Sequence, residues 1–255
     1  MSDAVLTERR GHVLLVTINR EDARNAINLA VSDGVGEAIE TAENDPEIRA
    51  VVVTGAGTKS FSAGADLKSI MRGEPIVAPE RAHWGFAGIT QHFTSKPVIA
   101  AVNGTALGGG TEIALSCDVV VACESASFGL PEVKRGLYAA AGGVFRLPRQ
   151  IPHKIAMELI LTGDPISAAD AAKWGLVNQV VPDGTVVDAA LALAERIAAN
   201  APLAVQASKR IAYGGTDETG DWAKNLSEMG VFGSEDAMEG PTAFAEKRAP
   251  VWKAR

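Results

Sequence analysis

The first apolar run of the chain is HVLLVTINR (12–20), rich in β-formers and read as a strand. A polar turn, EDARN, follows. Residues 26–43 then change period. Ile27, Val31, Val35, Ile39 and Ala42 fall on one face of a helix, and Asp45-Pro46 closes it. AVVVTG (50–55), PVIAAVNG (97–104) and CDVVVACE (117–124) are short, nearly continuous apolar runs, the pattern of buried strands. Strands alternating with helical stretches predict an α/β architecture. Residues 69–91 fit neither period: Gly73, Pro75 and Pro79 lead into RAHWGFAG, a long loop or lid carrying His83, Trp84 and Phe86. From Pro152 onward the chain is mostly helical (HKIAMELILTG, SAADAAKWG, VVDAALALAERIAANAPLAVQASKRIA), interrupted by a brief strand, VNQVV (177–181). The tail carries Phe244 and Trp252 among its charges, too aromatic for a plain disordered tail. No internal repeat or low-complexity tract occurs.

Composition narrows the classes. At 255 residues and 47% hydrophobic, the chain can bury a substantial core in one large domain or two small ones. A formal net charge of −7 argues against nucleic acid or an anionic membrane as the main partner. Cys117 and Cys123 both lie in SCDVVVACE with no His at ligand spacing, so they read as small buried hydrophobes of a reducing compartment. The N-terminus, MSDAVLTERRGH, has neither a signal peptide's apolar stretch nor a transit peptide's composition. No apolar run approaches the ~20 residues needed to span a bilayer. These features predict a soluble, cytoplasmic protein.

Four segments could carry chemistry. GAGTKS (55–60) has Thr58 where a phosphate loop needs Gly before Lys-Ser, and Ser60 where GxGxxG needs its last glycine; it reads as a strand followed by a glycine turn. In FSAGADLKS (61–69), Gly64 lies between small residues that would let a ligand approach backbone N–H groups, and Asp66 can begin a helix. NGTALGGGTEIALSCD (103–118) runs from a strand through Gly108, Gly109 and Gly110 into a short helix. N–H groups at a helix start lack intrahelical partners and suit an anion or a developing oxyanion. Tight helix–sheet packing would also call for these glycines, and a first-turn acid such as Glu112 also complements the helix dipole. Dipole complementarity alone does not explain an acid in so apolar a stretch. SFGLPEVKRGLYAAAGGVFRLPRQIP (127–152) supplies a second acid, Glu132, beside Pro131, where a helix start is expected. Two acids on facing helix starts beside two glycine-rich backbone sites could hold a water while a proton moves at carbon.

Together, NGTALGGGTEIALSCD, FSAGADLKS, FGLPEVKRGL…GGVFRLPR and the tail AFAEKRAPVWK resemble the crotonase (enoyl-CoA hydratase/isomerase) superfamily over nearly the whole chain. The resemblance implies a β/α spiral core over residues 1–200 and a helical C-terminal region, 201–255, that assembles subunits and closes the CoA site. It implies an acyl-CoA thioester substrate, no metal or redox cofactor, and a homotrimer or a hexamer of paired trimers. It matches both hydratase acids, Glu112 and Glu132, and makes the oxyanion hole from the N–H groups of Ala65 and Gly109. CoA contacts map to Arg24, Ala26, Ala63, Asp66, Leu67 and Lys68, with Phe244 and Lys247 in the closing segment. The acyl pocket maps to Trp84, Tyr138 and Gly142. Similar hydratases often carry Pro-Gly before the GG of the last core motif; here Tyr138-Ala139-Ala140-Ala141 precedes Gly142-Gly143, which leaves acyl specificity open.

The implied reaction is hydration of a trans-2-enoyl-CoA to 3-hydroxyacyl-CoA, a step of fatty-acid β-oxidation, or its reverse. Glu112 would activate the water and Glu132 would handle the proton at C2. Double-bond isomerisation and dehydration of a polar acyl-CoA are the nearest alternatives, and isomerases often use a single acid. A non-catalytic acyl-CoA binding protein is the second alternative. Nucleic-acid binding has only KRAPVWKAR behind it.

Overall fold

In a computed structural model the described residues are 4–214 and 227–255, so 215–226, part of the expected C-terminal helical region, lies outside the described residues. The strands are β1 (Val5–Arg10), β2 (Val13–Ile18), β3 (Ala50–Gly55), β4 (Ser60–Ser62), β5 (Val98–Val102), β6 (Thr105–Leu107), β7 (Val119–Cys123), β8 (Ser127–Gly129), β9 (Ile166–Ser167) and β10 (Gln179–Val181). The helices are α1 (Leu29–Asn44), α2 (Leu67–Met71), α3 (Gly109–Ser116), α4 (Gly143–Gln150), α5 (His153–Thr162), α6 (Ala168–Lys173), α7 (Val186–Ala198), α8 (Pro202–Ala212) and α9 (Glu235–Glu246).

The strands form two sheets. One runs β1-β2-β3-β5-β7-β10 and the other β4-β6-β8-β9. All pairs are parallel except the edge pairs β1–β2 and β8–β9. Every residue of β3 and β5 is buried, as expected for parallel strands covered on both faces. The chain alternates between the sheets: β3 feeds β4 and α2, β5 feeds β6 and α3, and β7 feeds β8 and then α4. This strand–strand–helix repeat is the expected β/α spiral. Its consequence is that β4 and β6 each lead into a glycine loop and β8 leads toward Glu132.

The expected elements are present with shifted ends. Helix α1 starts two residues past Ile27, where Asn28 caps it by accepting from the Val31 N–H at 3.1 Å. Its stripe Val31, Val35, Ile39 and Ala42 is buried against β1–β3, and α7 lies on β2, β3, β5 and β7. Two features depart from the expectations. Pro131 opens only a 3-10 turn, Pro131–Arg135, before Gly136 turns left-handed. Strand β1 is also new: only its first residue is buried, so VLTERR reads as polar although it pairs with β2 over its full length.

The C-terminal segment is strapped back onto the body. Asp236 is buried and accepts from the N–H groups of Lys253 and Ala254, and the Trp252 indole donates to the Ala199 carbonyl at 2.8 Å. No helix among the described residues is long and apolar enough to cross a membrane.

Candidate active site

Two loops meet at one point. In the first, Ser62 ends β4, Gly64 takes φ +84°, and Asp66 caps α2. The Asp66 carboxylate accepts from the N–H groups of Lys68 (3.1 Å) and Ser69 (3.2 Å) and pairs with Arg20 at 2.9 Å. The loop is stitched to residues 24–27: Ala63 N–H donates to the Arg24 carbonyl, Ile27 N–H to Gly64, and Asp66 N–H to Ile27. Asn25 completes the stitching. It is buried at φ +54°; its amide donates to the Ala56 and Ser60 carbonyls, and its own carbonyl accepts from the Ser62 hydroxyl.

The second loop joins β6 to α3. Gly108 takes φ +57°, and its N–H donates to the Gly129 carbonyl. Thr111 pins the helix start, its hydroxyl lying 2.7 Å from the Ala106 carbonyl and 2.9 Å from that of Gly129. The glycine run is required sterically. A Cβ on Gly110 would stand 2.1 Å from the Ser62 carbonyl oxygen, and one on Gly109 would stand 2.4 Å from the Phe86 ring and 3.2 Å from the Gly64 Cα. A Cβ on Gly64 would in turn stand 2.8 Å from the Gly109 nitrogen. The two glycine loops therefore touch. Among the described residues, the Ala65 and Gly109 N–H groups have no hydrogen-bond partner. Two neighbouring unpartnered donors, one at the positive end of α3, suit a developing oxyanion.

Both acids reach this point. Glu112 is 3% exposed, on the first turn of α3. Burial pushes its carboxyl up to about 7; the Gly143 N–H, donating to Oε1 at 2.9 Å, opposes the rise, as does the more distant Arg146, while the Glu132 charge adds to it. Glu132, on the 3-10 turn, places Oε1 3.0 Å from the Cβ position of Gly108. Burial raises its pKa too, against its own backbone N–H and Arg135, and its Oε2 is buried without a partner. A buried carboxylate oxygen with no donor is costly unless something else fills that role. A carboxyl raised to about 7, as at Glu112, can give and take protons near neutral pH, and Glu132 is raised in the same direction.

The remaining expected residues divide. Arg24, Ala26, Ala63, Asp66, Leu67 and Lys68 are brought together by the stitching, with Leu67 and Lys68 exposed. The Asp66 carboxylate is committed to the α2 cap and Arg20, so its place is to hold the loop. Gly142 (φ +120°) caps α4 next to the Gly143 that binds Glu112. Tyr138 is largely exposed. Trp84 is not brought to the glycine pair: its indole stacks on His92 at 4.9 Å and lies on Gly36 of α1. Phe86, two residues on, is the aromatic at Gly109. Phe244 is 87% exposed, and α9 packs on the turn Met229–Gly233, so one chain alone does not bring Phe244 and Lys247 to the acids. Asn25, Thr111, Arg20 and Arg146 were not singled out in the sequence. The left-handed Asn25 before an apolar residue and the Arg after GGVF were the available signals. Among the described residues no group of three His, Cys, Asp or Glu is arranged to hold a metal ion.

A family profile described as Enoyl-CoA hydratase/isomerase matches residues 8–255. The chain belongs to the enoyl-CoA hydratase/isomerase family. A carnitinyl-CoA dehydratase of Salmonella typhi is 44% identical, with both chains covered completely. Two solved structures also align over 100% of each chain. Carnitinyl-CoA hydratase from Mycobacterium avium is 63% identical with a TM-score of 0.83, and enoyl-CoA hydratase from Mycobacterium tuberculosis H37Rv is 47% identical with a TM-score of 0.95. Family membership makes the chain a CoA-linked enzyme of the crotonase type, for which addition or elimination of water at a CoA thioester is the chemistry its relatives' names share.

Proposed function

We propose that the chain interconverts a trans-2-enoyl-CoA and water with the 3-hydroxyacyl-CoA. The observation that carries this reading is the pair of desolvated carboxyls, Glu112 and Glu132, beside two unpartnered N–H donors. In the hydration direction, Glu112 takes a proton from water as the oxygen bonds to C3. Electrons move through C2 onto the thioester oxygen, where the Ala65 and Gly109 N–H groups stabilise the enolate. Glu132 then delivers a proton to C2, leaving Glu112 protonated and Glu132 ionised; Glu112 gives its proton to solvent and Glu132 takes one back, so the net change is addition of one water across C2 and C3. Preformed donors in a desolvated site need no reorganisation at the moment of reaction, which is why backbone can do this work. No group beyond the CoA carried by the substrate is needed. Residues 24–26 and 63–68 form the CoA-side rim of the proposed site, with Lys68 and Arg24 toward the phosphates. Residues 201–255 would close the site and assemble a trimer or hexamer, which gives the exposed Phe244 a partner surface.

A second reading concerns the acyl group. Relatives named for carnitinyl-CoA at 44% and 63% identity favour elimination of water from a 3-hydroxyacyl-CoA bearing a quaternary ammonium. The chemistry at C2 and C3 is the same. Purified protein assayed side by side with crotonyl-CoA and carnitinyl-CoA separates the two. Turnover of neither, in a folded protein, would remove the hydro-lyase reading.

A further inference from the structure

Arg146 stands between the two halves of the site without belonging to either. It lies on α4, one turn after Gly143, and its backbone N–H donates to the Gly142 carbonyl at 2.8 Å. Its guanidinium makes two bonds, both to carbonyls. One nitrogen donates to Ala141 at 3.1 Å and the other to Thr90 at 2.5 Å. Ala141 is in the loop whose Gly143 N–H holds Glu112. Thr90 closes the turn begun by Phe86, accepting no side-chain partner on its own hydroxyl while its N–H donates to the Phe86 carbonyl. The Phe86 ring in turn lies against Gly109. A Cβ on Gly142 would stand 2.1 Å from the guanidinium, so the glycine there makes room for Arg146.

Arg146 is half-buried, and among the described residues no carboxylate comes within ion-pair distance of it. The charged and titratable groups around it are few. Glu112 and Cys117 face it from α3, Tyr213 from the end of α8, and Arg149 from its own helix. It also lines a cleft of about 440 Å³ with His92, Asp118 and Lys209, of which Asp118 and Lys209 are paired with each other. Its charge opposes the rise in the Glu112 pKa, but less than the Gly143 N–H does. A guanidinium suits both tasks, because its planar fork reaches two carbonyls at once and stays charged when half-buried.

We propose that Arg146 is a positioning residue that fastens the Glu112-holding loop to the Phe86 loop, so that the Gly143 N–H stays on the Glu112 carboxylate. This rests on the hydro-lyase reading for its effect on rate, but its effect on Glu112 does not. The test compares Arg146→Met with Arg146→Lys. Lysine keeps the charge but not the fork; methionine keeps neither. With crotonyl-CoA, both variants should lose on the order of 10–10²-fold in kcat, since misplaced reacting groups cost about that much. Arg146→Met should also move the acidic limb of the kcat/KM profile to higher pH, because a displaced loop weakens the Gly143 N–H bond that favours the Glu112 carboxylate. Arg146→Lys, which also lacks the fork, should move the limb in the same direction.

Titration of the Glu112 carboxyl by ¹³C NMR in the free protein reads the same shift without turnover. If the wild type turns over no enoyl-CoA, the proposed reaction fails while this titration still decides Arg146. A folded Arg146→Met protein with unchanged kcat and an unmoved Glu112 titration overturns the proposal. So do variants whose activity loss only follows their melting temperature with the titration unmoved. If the methionine variant does not fold, Arg146→Lys decides: wild-type kcat in that variant overturns the two-loop fastening.

Discussion

Glu112→Gln should make the protein more stable and less active, and the gain in stability should appear only as pH rises. The carboxyl is 3% exposed, and its pKa is raised from 4.5 to about 7. A raised carboxyl favours the protonated form in the folded state. Its contribution is therefore fully present below pH 4.5 and is lost as pH climbs through 7. At about 1.36 kcal/mol for each tenfold change in proton affinity, this rise corresponds to about 3 kcal/mol once the pH exceeds 7. Glutamine has nearly the shape of the protonated acid, can still accept from the Gly143 N–H through its amide oxygen, and never ionises. The variant should thus match the wild type near pH 4 and exceed it by about 3 kcal/mol near pH 8. Chemical denaturation at several pH values, with protein concentration held fixed, measures the difference directly. Turnover should fall by about 10²-fold or more across the range. A stability difference that stays flat between pH 4 and 8, or a variant less stable at pH 8, would show that the Glu112 carboxyl does not carry this desolvation.

Other expectations concern the rest of the site. Glu132→Gln should also cut turnover by about 10²-fold or more while CoA affinity changes far less, checked by steady-state kinetics and CoA titration. Gly109→Ala should lose turnover because its Cβ would meet the Phe86 ring at 2.4 Å, and Gly109→Ala with Phe86→Ala should recover part of it. Gly230→Ala, with nothing within 4 Å of its Cβ position, is the folding control, compared by melting temperature. Lys68→Ala should mainly raise KM, because a phosphate contact remote from C2 holds ground and transition states alike. A fall in kcat at unchanged KM would remove Lys68 from the CoA rim.

The inner strands of the large sheet and α1 were legible because their side chains face one continuous core. Burial makes β3, β5 and β7 almost wholly apolar, and Val31, Val35, Ile39 and Ala42 keep a helical period. The small sheet was not legible. SFS, TAL and SFG are three-residue strands, too short to show any period, and their small residues serve the adjoining glycine loops. Edge strand β1 was hidden because only Val5 faces the core. Glu112 stood out as an acid in an apolar stretch behind three successive glycines, whereas Glu132 and the Gly64 loop were unremarkable alone and became legible only in combination, through the family resemblance. What could not be read was who holds them. Asn25, Thr111 and Arg146 act through contacts 18 to 56 residues away in the chain, which composition and spacing do not record. Trp84 shows the opposite failure: an aromatic in an irregular lid looked like a pocket wall, yet it fills the notch left by Gly36, while its neighbour Phe86 reaches Gly109.

The central claim is that Glu112 and Glu132 together add the elements of water across C2 and C3 of an enoyl-CoA. Incubation of the purified protein with crotonyl-CoA in water labelled with both ¹⁸O and deuterium tests it most directly, with mass analysis of the acyl product. The account predicts one ¹⁸O at C3 and one deuterium at C2 in 3-hydroxybutyryl-CoA, and loss of both incorporations in Glu112→Gln and Glu132→Gln. Unlabelled crotonyl-CoA recovered intact from a folded protein that also leaves carnitinyl-CoA unchanged, or deuterium exchange with no ¹⁸O at C3, would contradict it.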